Sequence, residues 1–368
     1  MRLGRLQLLG HIDRYVGALF IGAYATSLLL IVGLAVIIDV ATNLRYFETW
    51  DDGTSATTGM VMRYYALNAP FLFLQVAPFV TTAAALFTLT KLIRHNELVA
   101  SLNAGVSARR LLLPLYCGAL LAGAGMFALR EYATPVIGAR RDALKDVLDN
   151  HRFVRELEDV TLRDIAGNIA VLGRYVPDEL RAQRLQVAGV RGKALIFITA
   201  TEATYELRGD GRAGWRLAEG RLRETAGDTA QMRDIEWLEL VEFTPRDVLL
   251  AHKGNVAPLE LSFAELGELA ARDPSNLEYQ TLFHYHLTFP LGNVVLLLLT
   301  LPFLLGRERG KSLEGLVAAA GMCVLYFAFD FIFRSLGMDG ALAPLWASWT
   351  PVLVGGSVGA ALSESARS

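Results

Sequence analysis

Gly310, Lys311 and Ser312 end a glycine-containing stretch, Leu-Leu-Gly-Arg-Glu-Arg-Gly-Lys-Ser, over residues 304–312. Such an ending is how a nucleotide phosphate is held, on successive backbone N–H groups with the lysine reaching the terminal phosphates. That loop needs roughly four residues between its glycines. Gly306 and Gly310 are separated by three, so the cradle is one residue short. A phosphate loop also has to follow a β-strand and open a helix within an α/β sheet, and the flanks here are apolar runs. The spacing and context predict a basic turn, not a nucleotide site.

The other chemistry-bearing residues give no constellation. The histidines are His11, His95, His151, His252, His284 and His286. His284 and His286 are two apart, which on a helix puts them on different faces and suits a metal poorly. Neither H-E-x-x-H nor G-x-S-x-G occurs. Glu156, Glu158 and Asp159 read as a solvated face. The two cysteines, Cys117 and Cys323, lie in apolar runs and suggest neither a disulfide framework nor a metal knuckle. No catalytic residue, metal site or cofactor bound by this chain is expected.

The elements that would carry these residues are set by hydropathy. Of 368 residues, 53% are hydrophobic and 20% charged, at a net charge of −2. Mean hydropathy is +0.36. A soluble domain carries about 25% charged residues, and the apolar excess here is gathered into long runs. A near-neutral balance gives no nucleic-acid signature. No small-residue cleavage site follows the first apolar run, so a cleaved signal peptide is not expected.

A membrane-crossing helix needs about 20 mostly apolar residues. Six such spans are predicted, at about 15–38, 64–90, 111–129, 287–305, 313–333 and 345–362. Pro70, Pro78 and Pro290 fall within or near them, which neighbouring helices can accommodate. With the N-terminus in the cytoplasm, the inner pieces hold Arg2, Arg5, Arg14, Lys91, Arg94, Arg109, Arg110, Arg307, Arg309, Lys311 and Arg367. The short outer loops hold only Arg45, Arg63 and Arg334. Eleven against three orients both termini inward by the positive-inside rule. The Gly-Lys-Ser turn is then a cytoplasmic charge anchor between spans four and five.

Residues 132–283, between spans three and four, are polar enough to be soluble and would lie outside the membrane. The runs NIAVLGRYV, KALIFITATEATYEL and MRDIEWLELVEF, with a turn at Asp210-Gly211, predict short strands and a β-sandwich or jelly roll. Helical pieces flank it: ARRDALKDVLDN leads in and SFAELGELAAR leads out. Ser262 and Glu265 have capping-box spacing. On the inner side, spans two and three are joined by about twenty residues, KLIRHNELVASLNAGVSARRLLLPL from Lys91 to Leu115. A short helix is expected at about 95–106. Asn96 would cap it, Glu97 would sit at its positive end, Leu98 and Leu102 would share a face, and Gly105 would allow a tight turn. Its two readings are an interfacial amphipathic helix and a coupling helix docked on a cytoplasmic partner.

Three spans, a β-rich insert of about 150 residues and three more spans is the layout of the LptF/LptG permeases, and the chain resembles that family. HIDRYVGALF is similar to its lead-in to span one, RHNELVASLNAGVSARRLLLPL to its coupling region, and LPFLLGRERGKSLEGLVAAAG with GALAPLWASWTPVL to its last spans. Asp13–Tyr15 leans toward the LptG side. The resemblance implies a six-helix (3+3) membrane protein, residues 1–131 and 284–368, with an all-β, jelly-roll-like periplasmic domain at 132–283. It implies a permease subunit of the ABC transporter that extracts lipopolysaccharide from the inner membrane and passes it through the β-domain toward the outer membrane. Partners would be a second such permease, a homodimeric LptB-type ATPase holding the ATP and Mg, LptC- and LptA-type bridge proteins, and membrane lipids. Glu97, Leu98, Leu102 and Gly105 would couple to the ATPase. Arg45, Arg130, Arg140, Arg141 and Arg334 would form a basic outer rim for lipid phosphates. Asp330, four residues before Arg334, would neutralise it. Lysines often found near the outer end of span one in the family are replaced here by Arg45 alone. Gly355 and Gly359 form a G-x-x-x-G in span six.

Two readings of other classes compete. A secondary transporter would show ionisable groups and broken helices at mid-membrane; a membrane-anchored periplasmic scaffold would need fewer spans and no long inner loop.

Overall fold

The computed structural model describes residues 10–43, 57–150, 156–192, 194–208, 212–226, 229–239, 243–305 and 312–365. Arg45, the Asp210-Gly211 turn, the turn from Gly306 to Lys311, and Arg2, Arg5 and Arg367 lie outside the described residues. The chain forms two compact units. One comprises Met1–Leu44, Tyr65–Thr134 and Thr281–Ser368; the other comprises Arg45–Tyr64 and Pro135–Gln280.

The first unit is helical. It contains α1 (His11–Thr42), most of α2 (Thr58–Arg94), the short α3 (Glu97–Asn103) and α4 (Ala108–Ala128). A π-turn at Leu129–Ala133 then leads to α5 (Thr134–Asn150). Among the described residues, six helices are long and apolar enough to cross a membrane: His11–Thr42, Thr58–Arg94, Ala108–Leu148, Leu277–Leu305, Leu313–Met338 and Pro344–Glu364. Each predicted span lies inside one of them. Span four begins ten residues earlier than hydropathy suggests, because α8 (Leu277–Thr300) starts at Asn276, whose side chain accepts from the Glu278 and Tyr279 N–H groups. His284 and His286 therefore stand within α8. His286 is buried, with Nδ1 2.7 Å from the Leu282 carbonyl.

After α8 come α9 (Pro302–Leu305), α10 (Ser312–Met338) and α11 (Pro344–Ser365). The core of this unit joins Val16, Phe20, Leu86, Leu89, Leu98, Leu115, Leu297 and Leu301 from α1, α2, α3, α4 and α8. The G-x-x-x-G of span six has a defined use. A Cβ on Gly359 would lie 2.7 Å from Leu298 Cβ and 2.9 Å from the Leu298 carbonyl carbon. The missing side chain lets α11 approach the backbone of α8.

The second unit is built on one wholly antiparallel sheet: β1 (Leu157–Arg163), β2 (Ile169–Val176), β3 (Arg181–Arg191), β4 (Ala194–Leu207), β5 (Ala213–Ala218), β6 (Arg221–Ala226), β7 (Thr229–Asp234) and β8 (Trp237–Leu238). It is a meander that forks at β4. The far end of that long strand, Glu202–Leu207, pairs with β5, and the near end, Leu195–Thr199, pairs with β6. The described pairings contain none that closes the sheet into a barrel. Alternation in β1 and β2 buries Leu157, Val160, Leu162, Ala170 and Leu172 on one face.

Helix α6 (Pro245–Val256) packs on β1 and completes that core with Val248 and Ala251. Its start is fixed by a capping box, in which Thr244 and Asp247 exchange hydrogen bonds. Trp215 Nε1 donates to the Phe243 carbonyl at 2.5 Å, tying the lead-in of α6 to the sheet. The Ser262–Glu265 capping box forms and opens α7 (Phe263–Arg272). Arg272 then joins α7 to α6 through Asp247 at 2.7 Å. The space left among Leu162, Leu172, Leu185, Trp215, Phe243 and Val248 is about 10 Å³. That is at the lower limit for a single water, so this part of the core is filled.

Candidate functional site

The segment between spans two and three has the geometry of a small docking element. α2 ends at Arg94, and Asn96 turns the chain with φ 63°. The side-chain cap expected of Asn96 does not form, because its backbone is spent on the left-handed turn that leaves α2. α3 is only seven residues long, too short to be stable by itself. Leu98, 5% exposed, is its anchor in the helical core. Leu98 and Leu102 lie four apart on α3, as expected, but only Leu98 is buried: Leu102 is 41% exposed, with Val99 at 50%. Gly105, at φ 83°, reverses the chain in a region that other residues adopt only at a cost. Ser107 then caps α4, accepting from the Arg110 N–H at 3.4 Å.

Glu97 lies at the start of α3. The Tyr15 hydroxyl of α1 donates to its Oε1 at 3.0 Å, while its Oε2 is enclosed and has no hydrogen-bond partner among the described residues. A carboxylate accepts several donors at once. The segment thus offers a partner an outward apolar face, Val99 and Leu102, beside a carboxylate with unused capacity.

A second locus lies where α8 and α10 meet the π-turn after α4. The Arg130 guanidinium stands over the Phe289 ring at 5.9 Å, and Arg334 over Tyr285 at 4.6 Å and Phe331 at 5.8 Å. Asp330 is buried, with the Tyr285 hydroxyl as its hydrogen-bonding neighbour. Asp330 and Arg334, four apart on α10, interact through their charges, and both also meet Tyr285. Two of the five rim arginines, Arg130 and Arg334, are therefore held on aromatic faces of one helix, where a guanidinium keeps its charge and its donors. Tyr285 and Phe289 are four apart on α8, and nothing in their spacing signals an arginine shelf, since the partners come from other helices.

Arg140 and Arg141 belong to the other unit. Arg140 is exposed. Arg141, 4% exposed, donates through Nε to Asp142 at 2.9 Å and through Nη2 to Glu260. Its charge is committed to two carboxylates, so its first role is to join α5 to the segment before α7. No group of three or more His, Cys, Asp or Glu side chains capable of holding a metal occurs among the described residues.

Among the described residues, three apolar helices before an inserted antiparallel β-unit and three after it mark a multi-pass membrane protein. The family model of the lipopolysaccharide export system permease LptF/LptG matches residues 14–365, and the chain belongs to that family. No curated protein matches it.

Proposed function

We propose that this chain is a permease subunit that extracts lipopolysaccharide from the inner membrane and moves it toward the outer membrane, driven by ATP hydrolysed in a partner. Family membership over nearly the whole chain supports the substrate and the class. The observation that carries the energetic part is Glu97. Its Oε2 is enclosed without a donor among the described residues, on a helix that exposes Val99 and Leu102. A cationic side chain in a groove of an LptB-type ATPase dimer would satisfy it, and the two apolar residues would fill that groove.

In this reading both termini and α3 face the cytoplasm and the β-unit faces the periplasm, as the arginine and lysine distribution directs. A second LptF/LptG-type permease supplies the other wall of the conduit, and LptC- and LptA-type proteins continue the bridge. Arg130 and Arg334, held on the α8 aromatics, meet substrate phosphates. Arg45 and Arg140 add to the rim, whereas Arg141, paired with both Asp142 and Glu260, adds no net positive charge to it. The β-unit is jelly-roll-like when it works. The space between α6 and the sheet at Leu162, Trp215 and Val248 is about 10 Å³, so acyl chains pass there only if the α6 face separates from the sheet. The buried Asp330 is a feature that a cation-coupled secondary transporter would share, but its hydroxyl neighbour and the arginine shelf suit a fixed structural role.

Detergent purification of the tagged chain with its co-expressed partners tests the coupling step. The wild type is expected to bring down the ATPase, and Glu97→Lys to lose it by tenfold or more, roughly the worth of one charge-assisted contact turned repulsive. Equal recovery with Glu97→Lys would remove α3 from the interface.

A further inference from the structure

Helix α1 is held by its beginning. Its buried residues are Asp13, Val16, Phe20 and Ser27. Further along, Leu29, Leu30, Leu34, Ile37 and Ile38 are each more than half exposed. The held end carries two polar ties to the α3–α4 region. Tyr15 donates to Glu97 Oε1 at 3.0 Å. Asp13 Oδ2 accepts from the Gly10 N–H at 2.8 Å and lies 3.9 Å from Arg110 Nη2 at the start of α4. Val16, Phe20 and Leu98 share the same apolar core beneath these ties.

We infer that Tyr15 is a positioning residue that links the coupling helix to span one. The inference rests on the reading of α3 as the ATPase-docking element, and adds what that element moves. A seven-residue helix has too few internal hydrogen bonds to hold its own direction. α3 is aimed by three things: Leu98 in the core, the Gly105 turn, and the hydroxyl on Glu97. The first two join α3 to its own neighbours in the chain and to the core. The third joins it to a helix eighty-two residues earlier in sequence.

Glu97 thus stands between a span and the proposed partner, with Oε1 taken by Tyr15 and Oε2 enclosed without a donor among the described residues. A displacement of Glu97 by the ATPase pulls on the beginning of α1. The rest of α1 turns much of its apolar surface outward and would move with its beginning as a lever. Asp13–Arg110 is long and solvent-exposed on the arginine side, so it contributes little, and Tyr15–Glu97 is the shorter of the two polar ties.

The test uses the intact complex in proteoliposomes, reading both ATP hydrolysed and lipopolysaccharide released to a soluble acceptor. Tyr15→Phe removes one oxygen and keeps the ring. It is expected to assemble and hydrolyse ATP at the wild-type rate, while lipopolysaccharide released per ATP falls about fivefold, the low end of typical coupling between sites. Replacement of Tyr15 by 4-aminophenylalanine restores a donor at the same place and is expected to restore the ratio. Tyr15→Phe combined with Glu97→Gln is expected to lose no more than Glu97→Gln alone. A wild-type ratio in Tyr15→Phe, a multiplicative loss in the double variant, or failure of the amino analogue to rescue would overturn the link while leaving the permease reading intact. Wild-type complex that releases no lipopolysaccharide on ATP addition would overturn both.

Discussion

Tyr175 keeps a hydroxyl whose proton nothing accepts among the described residues. Its side chain is fully buried against Trp215, and its oxygen has no hydrogen-bond partner among the described residues. Burial pushes its pKa up to about 12. The unfolded chain would ionise near its ordinary value of 10.0, while the folded one holds the proton longer. Tyr175's contribution is therefore fully present below pH 10 and is lost as pH rises through 12. Tyr175→Phe is predicted to raise stability by about 1 kcal/mol at neutral pH, since an unsatisfied buried hydroxyl is removed, and to flatten the alkaline decline. Thermal melts of the detergent-solubilised variant between about pH 7 and 11 measure both, and a clear loss of stability would mean the hydroxyl has a partner. The same scale shows what sequence makes legible. Glu97, Leu98 and Gly105 stand out by their types and order in a loop too long for a turn. That Leu102 faces out, that Asn96 turns rather than caps, and that Arg141 is spent on Asp142 and Glu260 depend on contacts between distant segments, which spacing does not carry.

Among the elements, the spans are the most readable, because twenty or so apolar residues in a row have one good use. Their ends are less so. α8 extends back to Leu277 through polar residues that hydropathy assigns to the outer segment, and α4 runs on through a π-turn into α5. Strands are legible from β-branched runs, but their order is not. The alternation says which residues go inward but not how the strands pair, so the fork at β4, which pairs with both β5 and β6, is not legible from it. The G-x-x-x-G of α11 decides nothing in sequence, because small residues are frequent in membrane helices; its meaning comes from Leu298 lying under Gly359. Gly359→Leu is predicted to push α11 off α8 and cost about 1–3 kcal/mol by overpacking. Gly356, where an added Cβ would meet nothing within 4 Å, should accept leucine at little cost. Unfolding in a mild-detergent denaturant series compares the two, and equal effects would contradict the close approach.

For the whole molecule, the proposed function requires that the β-unit and α3 lie on opposite sides of the membrane. A cysteine at Thr201, on an exposed part of β4, is predicted to react with a membrane-impermeant maleimide in intact spheroplasts. One at Ala104, beside the α3 turn, should react only after permeabilisation; the reverse pattern would invert the topology. The central claim is that this chain is one wall of a lipid conduit and takes its energy from a neighbour. Its most direct test is ATP-driven lipopolysaccharide release from proteoliposomes assembled with and without this chain. Release is predicted only when the chain, a second LptF/LptG-type permease and the ATPase are all present, with no ATP hydrolysis by the chain alone. Release that persists when this chain is omitted, or ATP turnover by the purified chain, would contradict it.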